Sequence, residues 1–225
     1  MNMNNKLTAV LTIGLLLLTG CSLSGSTPPT PTALVIPTFI STNTATPPEV
    51  TAPGSTPLPN TSTFCADPQV LALIDTLKSA VLKSDGVLLS SLVHPTKGME
   101  VRWVRNGNAI TYTPEQAKFL FETTFEANWG PEPGSGQDKI GSFHDVIIPE
   151  LAKIFNQSPT LHCKDLKHGG ATYELTWPYQ GDFYSVFFPG TDQYGFLDWR
   201  TWAIGIEYVN AKPFMYALMQ FFWEP

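Results

Sequence analysis

The sequence predicts an α+β domain in which helices come first and a curved, mainly antiparallel sheet comes last. Three observations predict it. Apolar residues recur at helical spacing from Val70 to Leu82, short β-type runs separated by Gly and Pro follow after Thr160, and the last 28 residues, Asp198 to Pro225, read as one long aromatic hairpin. The N-terminal helices are expected to pack on one face of the sheet.

The chain opens with Lys6, an apolar run from Leu7 to Leu18, and then Leu18-Thr19-Gly20-Cys21. Charged, apolar and small segments in that order make a secretory signal over residues 1–20. The run is shorter than the ~20 residues that cross a bilayer comfortably. Its last four residues resemble a bacterial lipobox, which implies a lipidated Cys21 as mature N-terminus, anchored to the membrane on its extracytoplasmic face. Residues 21–63 hold nine Pro, eleven Thr and six Ser, with Glu49 the one charge. Such a stretch lacks the apolar surface to offset the entropy of ordering, so it reads as a disordered, polyproline-rich tether. A single globular domain is expected over residues 64–225, a length that suits one core.

Within it, Asp67-Pro68 opens the first helix as N-cap and N1. Val70, Leu71, Ile74, Leu77, Val81 and Leu82 form its apolar stripe. Ser84-Asp85-Gly86 interrupts, and Val87 to Val93 predicts a second helix ending at His94-Pro95. Met99 to Val104 alternates as a strand, turns at Asn106-Gly107-Asn108 and resumes as Ala109 to Tyr112. Thr113-Pro114-Glu115-Gln116 starts a third helix running to about Phe121. Trp129 to Gly136 reads as loop from its Gly and Pro. Ser142 caps a helix interrupted by Pro149, with Ile147, Leu151, Ile154 and Phe155 inward. Strands are expected at Thr160–Cys163, Ala171–Trp177 and Phe183–Phe188. In the final hairpin, a two-residue turn at Asn210-Ala211 gives paired numbers that sum to 421. Trp202, Ile204 and Ile206 then share a face with Met215, Ala217 and Met219, and Tyr216 lies over Gly205. A type I′ turn requires positive φ at both positions, which Ala resists, so a longer loop is the alternative.

The element order resembles the cone-shaped fold of the nuclear transport factor 2-like and SnoaL-like proteins. Four local motifs, His94-Pro95-Thr96-Lys97-Gly98-Met99, Trp129-Gly130 with Gly134-Ser135-Gly136, Asp198-Trp199-Arg200-Thr201 and Phe222-Trp223, together resemble a group of uncharacterised bacterial lipoproteins. That likeness implies the domain limits and brings no activity with it.

Charge excludes one class of function. Thirteen basic and nineteen acidic residues give a net charge of −6, and no Lys/Arg cluster exists. Nucleic acid, which needs several cationic phosphate contacts, is not an expected partner. With Cys21 taken by the anchor, Cys65 and Cys163 are left in an oxidising compartment, where they are expected to pair. Two free buried thiols, or a nucleophilic Cys163 beside His162, are the alternatives. No HExxH, GxSxG, Walker A or CxxC motif occurs, and no cofactor is implied. His162, Cys163 and His168 lie on one short stretch without a fourth ligand, a poor zinc site. His144-Asp145 falls in the first turn of a helix, where Asp145 complements the dipole.

One place invites a site. Asp198 and Arg200 stand two apart at the mouth of the hairpin, on one strand face. Together with Trp129, Trp199 and His94, or Glu174, they are the candidate pocket, at the end where the hairpin meets the loop after Trp129. Trp177, Tyr179, Phe183, Tyr184, Tyr194 and Phe196 add rings that either fill the core or stack on a sugar. The resulting expectation is a binding or structural module at the cell envelope, with a small polar or carbohydrate ligand. The alternative is an envelope hydrolase using Asp198, His94 or His144.

Overall fold

A computed structural model describes residues 61–225. The expected signal segment, Cys21 and the linker up to residue 60 lie outside the described residues. The first helix, α1 (Thr61–Ala66), starts ahead of the expected boundary and buries Phe64. In α2 (Pro68–Lys83) Asp67 is the N-cap, accepting from the Gln69 N–H at 2.8 Å. Val70, Ile74, Leu77 and Val81 turn inward with Leu73 and Ala80, whereas Leu71 and Leu82 at the stripe's margin are exposed. The helix stops at Ser84, which takes a left-handed φ of 53°. Asp85 then caps α3 (Gly86–Ser90), accepting from the Leu88 N–H.

That helix is shorter than its sequence suggests, because the next residues find a strand partner instead. The Met215 N–H donates to the Leu92 carbonyl and the His94 N–H donates to the Met215 carbonyl. Next come β1 (Met99–Arg102), β2 (Ile110–Tyr112) and α4 (Pro114–Ala117), the last opened by a Thr113/Gln116 capping box and followed by turns, so it stops short of the expected Phe121. The stretch expected as loop from Trp129 to Gly136 belongs to a hairpin, β3 (Glu126–Pro131) and β4 (Asp138–Ser142), with its own two-stranded sheet. Gly130 and Pro131 fall at the bulge and the later Pro and Gly at the tip, and Trp129, within the bulge, is fully buried. Its indole N–H donates to the Gly141 carbonyl at 2.9 Å. Then follow α5 (Phe143–Val146), capped by Ser142, and α6 (Ile148–Phe155), with Pro149 in its first turn. The chain closes with β5 (Thr160–Cys163), β6 (Asp182–Phe188), β7 (Arg200–Val209) and β8 (Lys212–Phe222).

Six strands make one sheet in the order β2-β1-β8-β7-β6-β5, antiparallel throughout except where β1 runs parallel to β8. The long hairpin lies at its centre. Asn210 and Ala211 form the two-residue turn, at φ 50° and 62°, and pair Val209 with Lys212. The expected register holds from there to Ile206↔Met215. A bulge at Tyr216 then shifts it, giving Gly205↔Ala217, Ile204↔Leu218 and Trp202↔Gln220. A strand's faces alternate, so the extra residue exchanges them beyond that point. Leu218 joins Trp202 and Ile204 in the core beneath the helices, and Met219 faces the opposite side. The Tyr216 ring does lie over Gly205: a Cβ there would meet its Cζ at 2.8 Å.

Each face of the sheet carries a core. On one, α2 and α6 cover Trp202, Ile204, Ile206, Met215 and Leu218. On the other, the segment 164–181 covers Phe183, Trp199, Ala203, Met219 and Phe221. No strand forms at Ala171–Trp177. The residues there do alternate, with Ala171, Tyr173, Leu175 and Trp177 half-buried and their neighbours exposed, but the segment lies across the sheet rather than pairing with it. Sheet side chains take the place of a ladder. Ser185 Oγ donates to the Asp165 carbonyl, Thr201 Oγ1 to that of Lys167 and Trp199 Nε1 to that of Gly170, at 2.7, 2.5 and 2.9 Å. Trp199 presses so close to Gly169 that a Cβ would sit 2.3 Å from the indole. Cys65 and Cys163 are joined, fastening α1 to β5 across 98 residues.

Candidate functional site

At the open end of the hairpin the surface folds inward into a cleft of about 470 Å³. Phe222 from β8, Trp103 just after β1 and Trp223 after β8 give it a half-buried aromatic wall. The Trp103 and Phe222 rings are 5.7 Å apart at 51°. Tyr194 and Leu197, from the loop between β6 and β7, form the exposed opposite rim. The tail is held in place behind the wall. Arg105 donates from Nε and Nη2 to the Glu224 carboxylate, and its guanidinium stacks 3.7 Å over the Tyr173 ring. Pro225 rests against Gly134, so this end of the hairpin does meet the glycine-rich turn after Trp129.

Polar groups line the cleft between these walls. Gln220, wholly buried, donates from Nε2 to Glu150 Oε2 at 3.2 Å. Arg200 Nε lies 3.0 Å from the same oxygen, an ion pair by distance whose N–H is not aimed at it. Gln220 Oε1 is buried and receives no donor. Such an unmatched acceptor costs on the order of 1–3 kcal/mol. Asp198 accepts from the Thr191 N–H at 2.7 Å and from its hydroxyl at 3.1 Å. Partial desolvation pushes its carboxyl up, but these hydrogen bonds outweigh that and hold it below the ordinary carboxylate value.

Of the five residues expected to share a pocket, Asp198 and Arg200 line this cleft and three do not. Trp129 belongs to the first core and Trp199 to the second, both wholly buried. His94 is buried near the other end of β7, where its Nδ1 accepts from the Lys97 N–H at 3.0 Å and its Nε2 is 3.9 Å from Glu207 Oε2. His144 is exposed on α5, His162 bonds Thr160 at 2.8 Å, and His168 bonds the Gly169 carbonyl. Glu174 is exposed. Of the rings considered for stacking, Tyr194 reaches the cleft; Trp177, Tyr179 and Phe183 pack in the second core and Tyr184 in the first. Among the described residues no three His, Cys, Asp or Glu side chains converge as a metal site would require, and no helix is long and apolar enough to cross a membrane.

Sequence reasoning missed Trp103, Glu150, Gln220, Phe222 and Trp223 as a group. One signal was present: Gln220 is a lone polar residue in an otherwise apolar strand, Ala217-Leu218-Met219-Gln220-Phe221-Phe222. Glu150 gave none, since a surface carboxylate on a short helix is commonplace.

No family model matches the sequence, and none of the curated proteins compared with it does. Two solved structures align with it. One is a chain named Rd1NTF2_05 with substitutions, 9% identical over 71% of this chain and 99% of that one, at a TM-score of 0.29. The other is a Xanthomonas campestris protein described as a calcium/calmodulin dependent protein kinase II association domain, 11% identical over 70% and 86%, at 0.25. Scores this low carry no argument about fold or function.

Proposed function

We propose that this is a lipid-anchored extracytoplasmic protein whose domain binds a small polar ligand, and that a carbohydrate is the class its cleft fits best. The observation that carries the reading is the pairing of an aromatic wall, Trp103, Phe222 and Trp223, with the half-buried polar side chains of Glu150, Asp198 and Arg200 in one cleft. A sugar presents an apolar ring face to aromatics and hydroxyls to polar groups, and ligand sites join the same two features. The anchor rests on Lys6, the Leu7–Leu18 run and the Cys21 lipobox, with the Pro/Thr-rich tether holding the domain off the bilayer. The resemblance to envelope lipoproteins and to the cone fold belongs to the same proposal; element order and the four motifs support it.

The hydrolase reading has one observation in its favour, that Glu150 and Asp198 line the same cleft. Against it, the Asp198 hydrogen bonds from Thr191 favour a fixed carboxylate over a proton donor, and no histidine lines the cleft. Binding is therefore preferred. The test is a thermal-shift screen of neutral and acidic oligosaccharides on the full chain, held in a detergent without a sugar headgroup. A specific glycan raises the melting temperature by mass action, and Gln220→Ala weakens it about tenfold. If no glycan shifts the protein, the carbohydrate reading is wrong; if one is cleaved and Glu150→Gln stops cleavage, the hydrolase reading replaces it. Replacing Cys21 by Ser is expected to release the protein from membranes, and continued retention would overturn the anchor.

A further inference from the structure

We infer that the cleft continues past Tyr194 and Asp198 into a second subsite, and that the two subsites together take a glycan chain bearing a carboxylate. This rests on the carbohydrate reading above. A second cavity of about 360 Å³ shares the Tyr194 and Asp198 side chains with the first and is lined beyond them by Lys153, Gln157 and Gln193. Each cavity alone falls within the ~300–1,000 Å³ that holds a small ligand. Joined across a two-residue ridge, they offer a path for consecutive rings rather than a socket for one.

The side of this path is set by one face of one helix. Glu150 and Lys153 of α6, and Gln157 just after it, recur at helical spacing, and they line the first cavity and then the second. Charge changes along that row. In the first cavity the two carboxylates, Glu150 and Asp198, outnumber the one cation, Arg200, which Glu150 already faces. An anion there meets repulsion. In the second, Asp198 is the one carboxylate of the lining and Lys153 balances it in number; Lys153 is exposed and makes no ion pair with any described carboxylate, acting on Asp198 through its field alone. The amides of Gln157 and Gln193 add uncharged donors beside it. Asp198, on the ridge, has its oxygens engaged by Thr191 and so separates the two environments without competing for the ligand's hydroxyls. A ligand suited to both has an uncharged ring face against Trp103 and an acidic group near Lys153.

The experiment titrates the full chain, in the same sugar-free detergent, with galacturonate, tetragalacturonate and the neutral glucose tetramer cellotetraose. Tetragalacturonate is expected to bind most tightly, and the monomer much more weakly. Lys153→Gln, on an exposed side chain that leaves folding intact, lowers affinity for tetragalacturonate about tenfold or more, and for cellotetraose by no more than about twofold. Salt reduces the acidic preference in the same direction. Equal affinity for both tetramers with Lys153→Gln affecting neither would overturn the second subsite and leave the carbohydrate reading standing. Monomer binding as tight as tetramer binding overturns it too. If none of the three binds, the second subsite is overturned, and the wider oligosaccharide screen decides the carbohydrate reading separately.

Discussion

Ala211 holds a φ of 62°, a region in which an L-residue costs roughly 1–2 kcal/mol, because Val209↔Lys212 pairing leaves only two residues to reverse the chain. Ala211→Gly is therefore expected to stabilise the protein by about 0.5–1 kcal/mol, the relief less the added freedom of Gly when unfolded. A rightward shift of the denaturant midpoint at unchanged slope checks it. Asp198 gives a pH dependence. Its carboxyl is held below the ordinary value of 3.8, so its contribution is present above that pH and is lost as pH falls through the lower folded value. Asp198→Asn should melt below the parent near neutrality, and the two melting curves should converge in acid; a gap that persists in strong acid would contradict the assignment.

At the scale of elements, the bulge at Tyr216 decides which side chains reach which core. Gly205 is what permits it, since the Tyr216 ring occupies the space of a Cβ. Gly205→Val is expected to cost about 1–3 kcal/mol by forcing that ring off the strand. Thermal melting measures the loss, and a neutral result would mean the ring moves freely. The β3–β4 hairpin sends Trp129 into the first core. Trp129→Ala removes a wholly buried indole and should cost about 3–5 kcal/mol. Alternation at Ala171–Trp177 signalled one-sided burial correctly and strand pairing incorrectly. Periodicity records which side of an extended segment is covered, and a ladder and a sheet face cover it equally well.

For the whole molecule, the Cys65–Cys163 link closes most of the domain into a loop. In the chain-entropy model a loop near this length contributes up to about 4.7 kcal/mol. The Cys65→Ser/Cys163→Ser pair, or reduction, should lower the melting temperature by many degrees. Unchanged melting on reduction would show that the link adds little. Alkali is the second global probe. Burial pushes the hydroxyls of Tyr112, Tyr173, Tyr179 and Tyr216 up to about 12 from 10.0. Their contribution is complete below pH 10 and is lost as pH rises from there through about 12. Tyrosinate absorbance and unfolding should rise together over that interval. Early, stepwise ionisation before unfolding would show that these rings are not locked in the cores.

Local chemistry is what the sequence alone determined. The Asp67, Thr113 and Ser142 caps, the α2 stripe, the Asn210-Ala211 turn and the order of helices before strands all depend on residues within a turn or two of each other. The sequence also pointed to the Asp198–Arg200 end of the hairpin, where the cleft opens. What tertiary structure decided was membership. Trp129 and Trp199 look like cleft residues in sequence and are core, whereas Trp103, Glu150, Gln220, Phe222 and Trp223 come together from three separate stretches. The reason is geometric. One inserted residue at Tyr216 exchanges the faces of half a strand, and one parallel pairing of β1 with β8 carries Trp103 to the hairpin's end, and neither event leaves a trace in local periodicity.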